Sequence, residues 1–208
     1  MNITRFVATG LLTAVALFAA DYKVESAGAP PSDVPASIAG VLQKDGAKIT
    51  TGGNTWAEIW LVNTAPKGSP SGEQNVTLPD VPHGSLMGVI RFPAAGKDRR
   101  GQLIKAGFYT LRYSMFPING DHQGVAPQRD FLILSKIADD SDPKVTPAYP
   151  ALMDAGKKAA GTAHPAVLSI WKADDQNQNL TQQGEDWVLQ RKAGELNIAI
   201  VVVGTAAA

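Results

Sequence analysis

The segment "FYTLRYSMFP" (108–117) limits what this chain can fold into more than any other. Tyr109, Leu111, Tyr113 and Met115 fall at every second position, with Thr110, Arg112 and Ser114 between them. A period of two puts the first set on one face of an extended strand and the second on the other. Similar segments recur at 55–63 ("TWAEIWLVN"), 84–93 ("GSLMGVIRFP"), 129–137 ("RDFLILSKI"), 166–173, 186–192 and 195–204. Clusters of Gly, Pro and Asn divide them, which is how strands are punctuated. The runs at 55–63 and 129–137 are nearly continuous apolar stretches, as in strands covered on both faces. Ala193-Gly194 makes a tight hairpin turn between the last two.

One helix fits the pattern. "YPALMDAGKKAAG" (149–161) has a proline at its start, a glycine at its end and lysines in its last part. There is no internal repeat, heptad or alternation of strand and helix. These features predict an all-β fold: an antiparallel β-sandwich of immunoglobulin or transthyretin-like Greek-key type, with one short helix near 149–160. The 208 residues suit a single domain. Only 18% are charged, and 20 glycines and 14 prolines favour a compact β protein over a bundle or a disordered chain.

The N-terminus has the layout of a secretory signal peptide over residues 1–20. Arg5 is followed by an apolar run from Phe6 to Leu17 and small residues at Ala19 and Ala20. That run is short for a bilayer span of roughly 20 residues, so cleavage is expected and no membrane span remains afterwards; retention as an anchor is the alternative. Residues 21–37 are rich in Pro, Ala and Ser and read as an arm or linker before a single domain over 38–208. Arg5 is the one charge in residues 1–20, so the remainder carries 18 basic and 19 acidic side chains, a net charge of −1. Such a balance does not neutralise phosphates, which argues against nucleic acid as a partner. The chain has no cysteine, which rules out disulfides, thiolate metal sites and cysteine nucleophiles. A periplasmic or extracellular bacterial location is expected.

The stretch "GQLIKAGFYTLRY" carries a leucine, a glycine and then Tyr109 opening a strand, the pattern of a tyrosine corner. The segments "KAGFYTLRY", "GDHQGVAPQRDFLIL", "AHPAVLSI" and "IAIVVVG" resemble parts of secreted bacterial β-sandwich proteins of a domain-of-unknown-function type, over roughly residues 84–204. The resemblance implies export and a β-sandwich fold. It brings no established activity.

Three histidines are candidates for chemistry: His83, His122 and His164. Each sits beside Gly or Pro before or between strands. If their loops converge, three neutral imidazoles are a sufficient ligand set for copper or zinc, with Met87 or Met115 as a soft axial ligand. No two have a local ligand spacing, and histidines that merely cap loops are commoner. The loop 118–128, with Asp121 and His122, is long for a hairpin connection and reads as a binding loop, braced at its exit by Arg129 and Asp130. Asp175, Asn177, Asn179 and Asp186 echo a calcium loop, but Leu180 stands where the turn glycine belongs, so calcium ranks behind copper and zinc. Trp56 and Trp60, with Glu58 between them, are expected on one strand face, either packed in the core or exposed to stack on sugar rings. The charged segment 96–102 reads as a solvated hairpin tip.

Nucleophile-elbow, zinc-protease, phosphate-loop and dinucleotide patterns are all absent. The reading is therefore an exported, non-catalytic protein that binds an unknown protein or small ligand through its loops or a sheet face. Mononuclear metal binding, a structural subunit of an envelope or extracellular assembly, and a hydrolase with an unrecognised site are the alternatives.

Overall fold

The computed structural model describes residues 21–117, 128–174 and 178–205. In chain order the elements are β1 (Tyr22–Gly28), α1 (Ala36–Ala39), β2 (Gly46–Thr51), β3 (Asn54–Leu61), β4 (Leu86–Phe92), β5 (Gly96–Lys97), β6 (Leu103–Ile104), β7 (Gly107–Met115), β8 (Asp130–Lys136), α2 (Tyr149–Ala160), β9 (Val167–Lys172), β10 (Leu180–Gln183), β11 (Asp186–Ala193) and β12 (Leu196–Val203). The all-β antiparallel expectation holds, with the one longer helix where proline and glycine mark it. Gly161 ends α2 in the left-handed region at φ 72.

Ten strands join in the order β1-β2-β3-β4-β7-β8-β9-β12-β11-β10, while β5 and β6 form a small separate hairpin. The last four strands have the Greek-key order, with β12 returning beside β9. Strand β9 is the corner: Val167 to Ser169 pair with β8, and Ile170 to Lys172 pair with β12. The sheet thereby turns back on itself and is barrel-like rather than two separate layers. Its two ends approach where Tyr22 of β1 meets Trp187 of β11, with ring centroids 5.5 Å apart.

The inner face holds one apolar core. Ile49, Ile59, Ile90, Tyr109, Leu111, Leu132, Leu134, Ile170, Leu189 and Ile200 are all buried there. The outer face of β8 is covered by α2, where Leu152 packs on Phe131 and Ile133. Gly156 lets the helix sit this close, since a Cβ there would lie 2.7 Å from Ile133 Cγ2. Gly194 has φ 58 in the β11–β12 turn, and a Cβ on it would come 2.4 Å from the Ala65 nitrogen. Only glycine satisfies both the backbone angle and the close approach there.

Three expectations are corrected. Residues 21–37 are not a loose arm. They supply β1, paired along β2, and they bury Val34 at 3% exposure. Alternation of Tyr22 and Val24 towards the core outweighs the proline-rich composition that follows. Trp56 and Trp60 do not share a face. Ile49 pairs with Ala57 and Thr50 with Thr55, so Trp56 is an extra residue in β3, a bulge that re-aims its side chain. Trp56 packs edge-on to Phe92 and donates Nε1–H to the Val202 carbonyl at 3.0 Å. Trp60 is 1% exposed on the other side and donates to Gly28 O at 2.8 Å. Trp60 is thus closed to a sugar ring, and Trp56 is half-buried with its edge and Nε1 engaged by Phe92 and Val202. The segment 96–102 is not a solvated tip either. Asp98 is buried and accepts from the Arg100 side chain and from the Arg100 and Gln102 amides, while Arg99 grips Asp186 and Arg100 reaches Pro165 O.

Candidate functional site

The polar set of β7 is as buried as its apolar set. Thr110, Arg112 and Ser114 each have 0% exposure. Alternation sends them to the outer face of β7, and there residues 137–148 cross over them as a strap. Arg112 uses all of its donors to hold that strap. Nε and Nη2 form a fork on the two oxygens of Asp140, at 2.8 and 2.6 Å. Nη1 donates to the Gly84 and Val145 carbonyls, and Nη2 also to Asp142 O at 2.8 Å. Thr110 Oγ1 adds a bond to Asp140. A planar guanidinium can satisfy a carboxylate and three carbonyls at once, which a lysine cannot.

A second cluster holds the long connection 62–85. Asp130, with 0% exposure, accepts from the Thr77 and Leu78 amides, from Thr77 Oγ1 and from Tyr113 Oη. Burial, then the Asp130 carboxylate, push the Tyr113 phenol well above its ordinary pKa, so it stays a donor. Arg129 donates to Phe116 O, Gln74 O and Glu73. Among the described residues Arg129 and Asp130 hold the segment 73–78, while the loop 118–127 they were expected to brace lies outside the described residues. Asp130 is wholly enclosed, and the Arg129 side chain is 10% exposed.

Strap and connection together frame a cleft of about 300 Å³. Val41, Val62, Pro66, Leu86 and Pro143 form its apolar lining; Asn63, Thr64, Ser85 and Thr146 add polar groups, and Lys144 is its one ionisable side chain. Among the described residues Lys144 makes no ion pair, and its backbone N–H donates a hydrogen bond to Asp142 Oδ1 at 2.9 Å. Sequence patterns give no sign of this cleft, because its walls come from three separate connections and the start of β4, which only the folded sheet brings together.

His83 lies on the other side of the strap. Its Nδ1 is 3.1 Å from Ser114 Oγ, and its ring is 5.7 Å from that of Tyr149 in the first turn of α2. Nε2 is buried without a hydrogen-bond partner among the described residues. Burial lowers the pKa of His83, opposed in part by the Pro147 carbonyl, so the ring is neutral at pH 7. A hydroxyl beside a neutral imidazole has the composition of a nucleophile and base. Ser114 is wholly enclosed, and the contact ties the end of the 62–85 connection to β7. His164 lies near the far end of α2, exposed, with its carbonyl accepting from Gln102 Nε2 and Thr162 Oγ1. Asp121 and His122 lie outside the described residues, as do Asp175 and Asn177. Among the described residues no three His, Asp or Glu side chains gather as a metal site. Asp186 of the calcium-like stretch is engaged by Arg99.

No helix among the described residues is long and apolar enough to cross a membrane. No family model matches the chain, and no curated protein or solved structure matches it either.

Proposed function

We infer that this is an exported, non-catalytic binding protein whose contact surface is the cleft and loop face framed by the strap 137–148 and the connection 62–85. The observation that carries this reading is the use of buried ionic anchors on segments that have no regular structure of their own. Arg112 with Asp140, and Asp130 with Tyr113 and Thr77, fix loop backbones by many hydrogen bonds. Long ordered loops held this firmly are commonly binding elements, because a preorganised surface avoids ordering costs on association.

Assembly through open sheet edges has less support. Edge strand β1 carries Lys23 and Glu25 and a register shift between Ser26 and Gly28, features that discourage edge-to-edge pairing. The test is a thermal-shift ligand screen combined with ester, amide and glycoside substrates on the purified protein. Expected are stabilising ligands whose effect disappears in Thr64→Trp, which obstructs the cleft, and no turnover. Turnover abolished by Ser114→Ala would replace this reading with a hydrolase.

A further inference from the structure

We propose that the cleft takes a small amphipathic carboxylate, its apolar body among Val41, Val62, Pro66 and Leu86 and its carboxylate at Lys144. This rests on the binding reading above. The lining is largely hydrocarbon, so the ligand must bring apolar surface to replace the water it displaces. The one ionisable side chain in it is a cation without an ion-pair partner among the described residues, so a single negative charge is matched, whereas a cationic ligand is repelled and a polyanion is left largely unneutralised. Asp142, the nearest acidic residue in sequence, turns Oδ1 onto the Lys144 amide. The volume of about 300 Å³ is at the small end for ligand sites, roughly 300–1,000 Å³, which sets a compact ligand. The Lys144 backbone is not free to swing away, because the carbonyls of Asp142 and Val145 on either side are both held by Arg112.

Such a carboxylate can be a free acid or the C-terminus of a peptide. The experiment titrates the ¹⁵N-labelled full chain with hexanoate, hexanol and hexylamine, and with N-acetyl-Gly-Leu as free acid and as amide. Hexanoate or the free-acid peptide should shift cleft amides saturably, more tightly than its uncharged partner, and hexylamine should not bind. Lys144→Gln should weaken the carboxylate probes roughly fivefold, the loss expected for one partly exposed charge, and leave hexanol unchanged. Thr64→Trp should abolish all of them. Preference for the peptide acid over hexanoate assigns a chain terminus as the source; the reverse assigns a free acid. Equal binding of hexanol or hexylamine, or indifference to Lys144→Gln, overturns the carboxylate but leaves a binding cleft. Absence of cleft shifts with every probe overturns both.

Discussion

The inner face of β7 packs Tyr109, Leu111 and Tyr113 against hydrocarbon, while its outer face packs Thr110, Arg112 and Ser114 into ionic and hydroxyl contacts. The inner contacts are mostly non-directional and hold the sheet together; the exception is the Tyr113 hydroxyl, which donates to Asp130 where that carboxylate holds Thr77 and Leu78. The outer contacts are directional and each partner is a named atom of a connection. Apolar burial therefore builds the barrel, and polar burial sets where its loops lie. The cleft is a product of the second.

The largest expected effect tests that division. Arg112→Ala leaves the largely enclosed Asp140 carboxylate without its cation and three strap and loop carbonyls without donors, at about 3–5 kcal/mol. Leu111→Met on the inner face should cost less than about 1.5 kcal/mol. Denaturant titration measures both, and hydrogen exchange at Val145 and Thr146 should rise in Arg112→Ala alone. If Leu111→Met costs more, the loops do not depend on the outer face as described.

Next comes Tyr109, which links the two modes. Its ring lies in the core, 6.4 Å from that of Phe92, and its hydroxyl donates to the Lys105 carbonyl at 2.8 Å. That is the tyrosine corner expected from "KAGFYTLRY", with the bond reaching four residues upstream. Tyr109→Phe keeps the ring and removes the bond, for a loss of about 1 kcal/mol by denaturant titration. No measurable loss would mean the corner adds nothing to the packing already there.

The inner face was legible because alternation and burial are sequence-local: 108–117, 129–137 and 195–204 fall within two residues of β7, β8 and β12. The helix was legible from Pro150 and Gly161. The outer face was not. Arg112 has the look of a solvent-facing residue in an alternating strand, and nothing near it in sequence announces Asp140 or the Val145 carbonyl. Trp56 was misplaced because a bulge depends on the partner strand's register, which one strand does not encode. The short strands β5, β6 and β10 carry too few residues to show a period. Among the candidate residues, the described neighbours of His83 are a serine and a tyrosine from distant parts of the chain, which nothing local in its sequence announces.

His83 gives a smaller, pH-dependent effect on the outer side. Its pKa is lowered in the folded state, so the unfolded chain binds the proton more tightly. Stability is then complete above the unfolded value, about 6.5, and falls as pH drops through the window down to the folded pKa. The facing groups are Ser114 from β7, Tyr149 from α2 and the Pro147 carbonyl of the strap. His83→Gln should flatten the stability curve between pH 7 and 5, as read by thermal unfolding across that range. An unchanged slope would show that the strap does not desolvate this ring.

The smallest effect belongs to a polar array that is not enclosed. On the outer face of the first strands Glu25 pairs with Lys48, Lys48 with Glu58, and Glu58 with Arg91, in direct cross-strand register. The Arg91–Glu58 bond is 2.7 Å, shorter than several bonds of Arg112, yet the Arg91 side chain is 40% exposed. Distance alone would rank the two pairs as equals. The cation decides otherwise: Arg91 keeps contact with water although Glu58 is only 14% exposed, whereas Arg112 is wholly enclosed, so pairing in the ladder adds only about 0.2–1 kcal/mol. Glu58→Gln should cost that much and set Lys48 and Arg91 on either side of a neutral amide, with Arg91 still 5.6 Å over the Phe108 ring. The loss should shrink in 1 M salt, where screening reaches about 3 Å, whereas the loss in Arg112→Ala should persist. If Glu58→Gln matched Arg112→Ala in size and in indifference to salt, enclosure would not be what separates the two polar arrays, and the strap would owe its position to something other than Arg112.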